Sequence, residues 1–327
     1  MGNPDLRRKI AIRIHPREAG ISVIDFLSGR FRYQRRIEWL QNIEAGCIRL
    51  NEKPVNAVDP LAPEDILSYH PPENLEPEVD REYDTVYEDD AILVINKPGN
   101  IPCHPGGRYF AHTLWALLME REDLKSIHFV HRLDRETSGL VLIAKDSEIA
   151  RICQAQFEAG TVRKVYQVLV EGNFPSEPVI ADGVLIPDAD SRVRKKRRFI
   201  SSDAKVPIPD QAQSCRTRFR LLDFQGPLSL IEARPETGRL HQIRATLCSM
   251  GYPVVGDKLY GVDDTLFLRF IDDRLTPQDR GLLRMDRQAL HASELGFRHP
   301  RTGTMLSLEA SCPADFNSLL NTVFPGS

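Results

Sequence analysis

The sequence predicts a mixed α+β protein of two domains. Its 327 residues exceed one typical domain, and a prior of about 150 residues per domain gives roughly two. Apolar runs of strand length are mixed with segments of helical periodicity, without the regular strand and helix alternation of a doubly wound nucleotide-binding fold. No Gly-x-Gly-x-x-Gly loop is present. We therefore expect a mixed sheet with helices packed on it.

The composition is that of an ordinary globular protein. Hydrophobic residues make up 41% of the chain and charged residues 27%, and no apolar run approaches the ~18 residues of a membrane span. The first residues are charged and lack the apolar centre of a secretory signal, so we expect a cytoplasmic protein. Six widely spaced cysteines form no CxxC pair and no cluster with histidine at zinc-ligand spacing. We expect reduced thiols and no metal site.

Residues 1–75 are predicted to form a small α+β domain of two helices and a hairpin. Four arginines between residues 30 and 36, among them Arg35 and Arg36, would give this domain a basic face. A charged helix face is commonly just solvated, but clustered arginines are also the electrostatic footprint of RNA binding. The expected helices are 20–31 and 35–48, and the expected strands are 48–55 and 65–71.

A second domain is predicted at 76–327, after an acidic, Pro-rich linker at 71–90. Within it, 183–215 is rich in Pro, Asp, Ser and basic residues, and is expected to be an exposed loop. Six positive charges lie in the seven residues 192–198, which we call the basic segment. The expected strands are 91–98, 128–134, 140–146, 164–172, 228–235 and 305–311, and the expected helices are 113–120 and 150–160.

The polar run HRLDRETSG, residues 131–139, stands between two apolar strands and contains the first candidate for chemistry. Asp134 would lie in a tight connection, where an aspartate often caps a turn. Its basic neighbours His131, Arg132 and Arg135 also suit a site that receives a phosphate-bearing substrate. The residues alone leave both interpretations open.

A second polar cluster, RPETGRLHQIR at 234–244, holds three arginines and a histidine. An arginine from this cluster can pair with Asp134 and keep its carboxylate ionised at neutral pH, as a nucleophile requires. The alternative is the basic start of a helix that faces solvent. From its strand pattern alone, Tyr166 in RKVYQVLVEG is an ordinary core residue.

Several of these segments resemble the RluA family of RNA pseudouridine synthases. HRLDRETSGLVLIAK resembles the family's defining motif, whose fourth residue is the catalytic aspartate. Residues 15–70 resemble, more weakly, the small RNA-binding domain named after the fourth small-subunit ribosomal protein. The resemblance implies a mainly antiparallel central sheet flanked by helices. Further segments resemble the family, in its order, between about residues 84 and 316: DDAILVINKPGNIPCHPGG, RKVYQVLVEG, ETGRLHQIRATLCSMGYPVVGDKLYG and LHASELGFRHPRTG.

The resemblance also implies roles for single residues. Asp134 is implied to be the essential carboxylate, Tyr166 the aromatic that stacks on the target base, and Arg244 the ion-pair partner of Asp134. Arg132 is implied to fill the space that the flipped base leaves in the RNA. The other expected RNA contacts are His131, Arg135, Arg35, Arg36, Arg239, Lys195 and Arg197.

The implied reaction breaks the bond between the sugar's anomeric carbon and nitrogen 1 of uracil, and rejoins the base through carbon 5. It needs no redox change or external energy, so we expect no cofactor. The carboxylate can add to the base, attack the sugar or deprotonate it, and the sequence leaves these routes open.

The expected substrate is large-subunit ribosomal RNA, bound by a monomer. Transfer RNA is the alternative, because CHPGGRYFAHTL at 103–114 is similar to a stretch in some transfer-RNA members of the family. A protein that binds RNA without turnover is a third possibility. The HxE and PCxxC residues of zinc deaminases are missing, which argues against a base deaminase.

Overall fold

The structure, a computed structural model, describes residues 10–31, 35–70, 76–106, 109, 111–263 and 265–325. The chain divides into two compact units. The smaller comprises Met1–Glu78 and Pro105–His112, and the larger comprises Val79–His104 and Thr113–Ser327. The smaller unit thus includes residues 105–112, which were expected to belong to the second domain. None of the helices in the described ranges has the length and apolar character of a membrane span.

The smaller unit packs two helices on an antiparallel sheet. Ser22 caps the first helix by accepting from the Asp25 N–H, and Trp39 of the second is buried with its ring 5.1 Å from that of Tyr69. The expected helices and the expected strand 65–71 are present, together with an unexpected first strand, but the single strand expected at 48–55 is a hairpin of two shorter strands. In chain order the elements are β1 (Ile10–Arg13), α1 (Val23–Arg30), α2 (Arg36–Glu44), β2 (Ile48–Leu50), β3 (Lys53–Pro54) and β4 (Ile66–Tyr69). The sheet order is β1-β4-β2-β3.

The larger unit is built on one long sheet with helices against it. Its strands are β5 (Asp84–Glu88), β6 (Ile92–Lys97), β7 (His128–Phe129), β8 (Ser138–Ala144), β9 (Arg163–Glu171), β10 (Val179–Pro187), β11 (Arg197–Ser201), β12 (Gln213–Gln225), β13 (Leu228–Pro235), β14 (Leu290–Arg298) and β15 (Met305–Glu309). Its helices are α3 (Leu114–Met119), α4 (Ser147–Glu158), α5 (Gln242–Ser249), α6 (Thr265–Ile271), α7 (Pro277–Leu283) and α8 (Ala314–Val323).

Strand order in this sheet is β11-β10-β12-β13-β9-β14-β8-β6-β5, with β15 paired to β14 and β7 to β8. Among the described strands, every pairing is antiparallel except that of β14 with β8. These two strands approach closely at Gly139, where φ is 113° and an added Cβ would lie 2.3 Å from the Ala292 carbonyl oxygen. Glycine is therefore required there. The predicted mixed, mainly antiparallel sheet is confirmed.

Strand β8, which pairs with β14, β6 and β7, is buried on both faces, which explains its unbroken apolar sequence. Leu140 and Leu142 pack with α4 residues on one face, while Val141 and Ile143 pack with α3 residues on the other. Each buried aliphatic side chain contributes about 1.5–3 kcal/mol. The loop that precedes β8 is therefore anchored at its end in the most buried part of the unit.

Three predictions of local structure are wrong. Within the expected linker, 71–75 lie outside the described residues, but Asp84–Glu88 forms strand β5. The expected loop at 183–215 contributes to three paired strands, β10, β11 and β12. In β12, charged outward residues hide the apolar alternation: Cys215 and Phe219 are buried, whereas Arg218 is exposed. The strand expected at 128–134 ends at Phe129.

Candidate active site

The loop that contains Asp134 joins β7 to β8, and the buried side chain of Lys97 binds its backbone. The Thr137 N–H donates to the Asp134 carbonyl at 3.1 Å, which closes a turn. Lys97, which has no solvent exposure, donates from Nζ to three backbone carbonyls, those of Pro98 (2.7 Å), Ile101 (2.9 Å) and Arg135 (3.1 Å). Burial lowers the pKa of Lys97 to about 8. The lysine thus ties the end of β6 to the residue after Asp134.

Arg244, in the first turn of α5, connects two carboxylates. Its Nη1 donates to Oδ2 of Asp134 at 2.6 Å, while Nε and Nη2 donate to the two oxygens of Asp257 at 2.6 and 2.9 Å. Asp257 is completely buried, and its Oδ1 also accepts the backbone N–H groups of Leu259 and Tyr260 at 3.0 and 2.9 Å. The bidentate pair with Asp257 therefore orients the guanidinium toward Asp134.

The network keeps both carboxylates ionised near neutral pH. Burial, the largest effect, would raise the pKa of the Asp134 carboxyl, but the charge of Arg244 and the hydrogen bonds from Arg244 and Gln288, together with the His241 side chain, hold the pKa below its usual value. Burial likewise opposes ionisation of Asp257, and Arg244 again lowers the pKa. The Asp134 side chain keeps 29% of its surface exposed, in contrast to 9% for Arg244. The site thus exposes one ionised carboxylate, that of Asp134, to solvent, while Arg244 and Asp257 hold it in place.

Tyr260 and His241 form the wall beside Asp134. The Tyr260 ring lies 5.0 Å from the Arg244 guanidinium carbon, a cation–π contact. Its hydroxyl accepts the Arg197 N–H at 2.8 Å and lies 2.9 Å from Nδ1 of His241. The other ring nitrogen of His241, Nε2, is 3.9 Å from Oδ1 of Asp134. Burial, and then the charge of Arg244, lower the pKa of His241 to about 4, so the ring is neutral at pH 7.

Tyr166 lies in the middle of β9, between Ala233 of β13 and Ala292 of β14. It is half-buried and packs against two apolar clusters of the unit. Burial raises the pKa of its phenol, and the charge of Asp134 raises it further. The structure therefore brings the neutral Tyr166 ring, the Asp134 carboxylate and Arg244 into one site.

Comparison with known proteins identifies the family. A family model described as RNA pseudouridylate synthase matches residues 91–249. Ribosomal large subunit pseudouridine synthase C of Vibrio cholerae is 30% identical over 92% of this chain and 93% of its own length. An uncharacterized RNA pseudouridine synthase of Chloroflexus aurantiacus is 34% identical over 94% of this chain and 91% of its own. The chain belongs to the RluA family of RNA pseudouridine synthases.

The fold is shared with solved structures. Human RNA Pseudouridylate Synthase Domain Containing 4 superposes with a TM-score of 0.58 and 25% identity, over 73% of this chain and 92% of that one. The synthase is thus an isomerase that acts on RNA, and the predicted family and enzyme class are confirmed.

Two expected positive neighbours of Asp134 in the synthase serve other contacts. Nε2 of His131 accepts the Leu142 N–H at 3.1 Å, and its ring stacks on Phe157 at 4.8 Å. Burial lowers the pKa of His131 to about 3, so this ring is neutral at pH 7, contrary to the positive charge expected from the sequence. Arg135 pairs with Glu136, and its guanidinium carbon lies 5.0 Å from the Phe270 ring centroid. Arg132 is exposed.

The remaining basic candidates are spread over the synthase. Arg239, before α5, is exposed and donates from Nε to the Ser214 carbonyl at 3.2 Å. Lys195 is exposed, and Arg197 is half-buried at the start of β11. In the smaller unit, Arg35 pairs with Glu38 at 3.0 Å and Arg36 with Asp25 at 2.6 Å. Both ion pairs have largely exposed side chains, so these arginines lie on the surface of that unit.

Four residues of the synthase site were not singled out from the sequence: Lys97, His241, Asp257 and Tyr260. Asp257 and Tyr260 both lie in VVGDKLYG, and His241 lies in the HQIR run. Each stood inside a segment that resembled the family. A carboxylate flanked by glycine and lysine gives no local indication that it will bind an arginine on another element.

Proposed function

We propose that this synthase isomerises uridine to pseudouridine in large-subunit ribosomal RNA, with Asp134 as the reacting carboxylate. The observation that supports the proposal is the ionised, partly exposed carboxylate of Asp134. Arg244 holds this carboxylate, and Asp257 orients Arg244. The choice of RNA rests on the Vibrio cholerae relative, which matches nearly the whole chain.

The reaction needs a carboxylate that is ionised and fixed in direction. The anomeric bond to nitrogen 1 breaks, uracil rotates, a bond forms to carbon 5, and the hydrogen on carbon 5 leaves as a proton while nitrogen 1 gains one. Addition to the base, attack on the sugar and deprotonation of the sugar all begin with an ionised Asp134. Arg244 favours that state, which is why the pKa of Asp134 lies below its usual value.

The target base must leave the RNA stack to reach Asp134, which costs a few kcal/mol. Stacking on Tyr166 would return about 1–3 kcal/mol. Exposed Arg132, two residues before Asp134, would enter the gap in the RNA. We assign Tyr166 and Arg132 to base flipping on that basis.

The surface arginines and lysines would hold the phosphates of the RNA. Arg239 and Lys195 are exposed in the larger unit, and Arg35 and Arg36 lie on the surface of the smaller one. The likeness of residues 15–70 to a ribosomal-protein RNA-binding domain supports the same assignment for the smaller unit. We propose that the enzyme is a monomer and that it works in the cytoplasm, where its six free cysteines would stay reduced.

The test is release of tritium from RNA that carries uridine labelled at carbon 5. We expect release by the intact protein from ribosomal RNA and none by Asp134→Asn, which keeps the shape of the side chain. Asp123→Asn, which changes a largely exposed carboxylate in the same unit, is the matched control and should behave as the intact protein. Equal release by Asp134→Asn would mean that another group reacts.

Transfer RNA is the second candidate substrate, on the strength of residues 103–114, three of which (107, 108 and 110) lie outside the described residues. Release from transfer RNA and none from ribosomal RNA would select it. RNA binding with no release from either would favour a protein that binds RNA without turnover.

A further inference from the structure

His241 occupies an unusual place between two polar groups of the site. Its backbone has φ 55° and ψ 23°, the left-handed conformation, at the residue before α5. Non-glycine residues in this conformation are uncommon and often lie at functional sites. The ring is 11% exposed, with Nδ1 against the Tyr260 hydroxyl at 2.9 Å and Nε2 toward Oδ1 of Asp134 at 3.9 Å.

The contacts of Tyr260 favour one position for the hydrogen on the His241 ring, the one that gives the Tyr260 hydroxyl hydrogen a partner. The backbone N–H of Arg197 can only donate, so the Tyr260 oxygen accepts from it. Within the part of the chain that the structure describes, Nδ1 of His241 is the acceptor near enough for the hydroxyl's own hydrogen. A neutral imidazole that accepts at Nδ1 has its hydrogen on Nε2. The N–H of His241 is therefore directed toward Asp134.

We propose that His241 is a positioning residue that donates from Nε2 to Oδ1 of Asp134 once uridine is bound. The inference rests on the proposed role of Asp134. Arg244 holds Oδ2 at 2.6 Å and the Gln288 side chain also hydrogen-bonds to the carboxylate, so a further donor on Oδ1 would fix the plane of the carboxylate more firmly. The present 3.9 Å exceeds a hydrogen bond, and catalytic hydrogen bonds commonly shorten when substrate binds.

Three substitutions separate this role from a structural one. His241→Gln can place an amide N–H near the position of Nε2, His241→Asn keeps an acceptor near Nδ1 without that donor, and His241→Leu removes both. The left-handed backbone favours Asn over Gln, so a merely structural histidine would be replaced best by Asn. The positioning role demands the opposite order in activity.

The measurement is the single-turnover rate of tritium release at saturating ribosomal RNA, with RNA affinity and thermal melting followed separately. We expect His241→Asn and His241→Leu to slow the reaction by about ten- to hundredfold with little change in affinity, as for loss of a hydrogen bond to a charged group. His241→Gln should stay within about threefold of the intact protein. His241→Asn should melt no lower than His241→Gln.

A rate for His241→Asn equal to that of the intact protein would overturn the inference, as would equal losses in the Gln and Asn variants. If His241→Gln does not fold, His241→Asn still decides. Failure here is distinct from failure of the proposed function. An active Asp134→Asn removes the proposed function, whereas an active His241→Asn beside an inactive Asp134→Asn removes this inference alone.

Tyr260→Phe gives an independent check, since it keeps the ring beside Arg244 and removes the hydroxyl that directs the His241 hydrogen to Nε2. We expect a slower rate in this variant. Combined with His241→Asn, it should add little to the loss, because both changes remove the same donor. Fully additive losses would show that the two residues act separately.

Discussion

Two groups of arginine–carboxylate pairs in the larger unit differ mainly in their exposure to solvent. Arg244 and Asp257 are 9% and 0% exposed, with a shortest contact of 2.6 Å. On the outer face of β12 and β13, Arg218 and Glu236 are 59% and 45% exposed, at 3.0 Å. Both are well-formed ion pairs, so their geometry does not distinguish them. Burial does, because a buried charge that loses its partner has no water to replace it.

The difference extends to what each group can do. The exposed pairs are screened by salt and contribute about 0–1 kcal/mol each. The buried pair fixes the direction of Arg244 and thereby the ionisation of Asp134. Burial thus lets one ion pair control the charge of a neighbouring carboxylate.

The strongest test of this comparison is Asp257→Asn. The change leaves Arg244 as a buried cation with one carboxylate, and we expect a loss of about 3–5 kcal/mol in the free energy of unfolding. Urea denaturation measures the loss, and tritium release should fall with it. A loss below about 1 kcal/mol would show that the buried pair behaves as a surface pair.

A buried histidine tests the same effect of burial through the pH dependence of the free energy of unfolding. His291 has no solvent exposure, and burial lowers its pKa to about 4 from an unfolded value near 6.5. As pH falls from 7 to 5 the unfolded chain takes up this proton and the folded one does not, so stability falls by about 2 kcal/mol. His291→Gln should remove that part of the dependence. Equal slopes for both proteins, from urea denaturation at each pH, would contradict the lowered pKa.

A second group of exposed charges is the basic segment, which precedes and begins β11. Its substitution tests whether these charges bind RNA. Replacing Arg192, Arg194 and Lys195 together by Gln should weaken RNA binding and reduce the salt dependence of log K by up to about 3, one for each lost phosphate contact. All three side chains are exposed. The measurement is a filter-binding titration at several salt concentrations.

The matched control replaces three arginines of the β12 face, each already paired with a carboxylate, by Gln: Arg216, Arg218 and Arg220. We expect a smaller change in the salt dependence. Equal changes from both triples would mean that RNA binding follows total charge and does not depend on the basic segment.

The smallest expected effect belongs to Glu236→Gln. Glu236 accepts from Arg218 at 3.0 Å and lies 3.6 Å from Arg216, and the two arginine side chains are 59% and 41% exposed. The unfolding free energy should change by no more than about 0.5 kcal/mol. A loss near that expected for Asp257→Asn would remove the distinction between the two groups of pairs.

The parts of the fold that could be predicted are those with a strong local pattern. The apolar run of β8 and the helical spacing of α4 are visible in a few consecutive residues. Strand β12 was missed because the outward side chains of its first half are mainly arginines, and β10, β11 and β14 were not predicted as strands at all. The neighbours of β14, strands β8 and β9, are far away in sequence.

The same limit applies to the site. Asp134 and Arg244 could be proposed from motifs, but the roles of Asp257 and His241 depend on tertiary contacts that no local pattern encodes. Proximity in sequence was also misleading for His131. His131 lies three residues before Asp134 in the sequence, but its Nε2 accepts the N–H of Leu142 in the following strand, β8.

Asp134 and Arg244 are separated by 110 residues in the chain, although their side chains are 2.6 Å apart in the folded protein. At a synthesis rate of about 5–20 residues per second, the arginine is made roughly 5–20 seconds after the aspartate. Strands β9 to β13 are made in that interval. The ion pair that favours the ionised carboxylate can therefore form only after residue 244 has been made. A shorter nascent chain contains Asp134 without this partner.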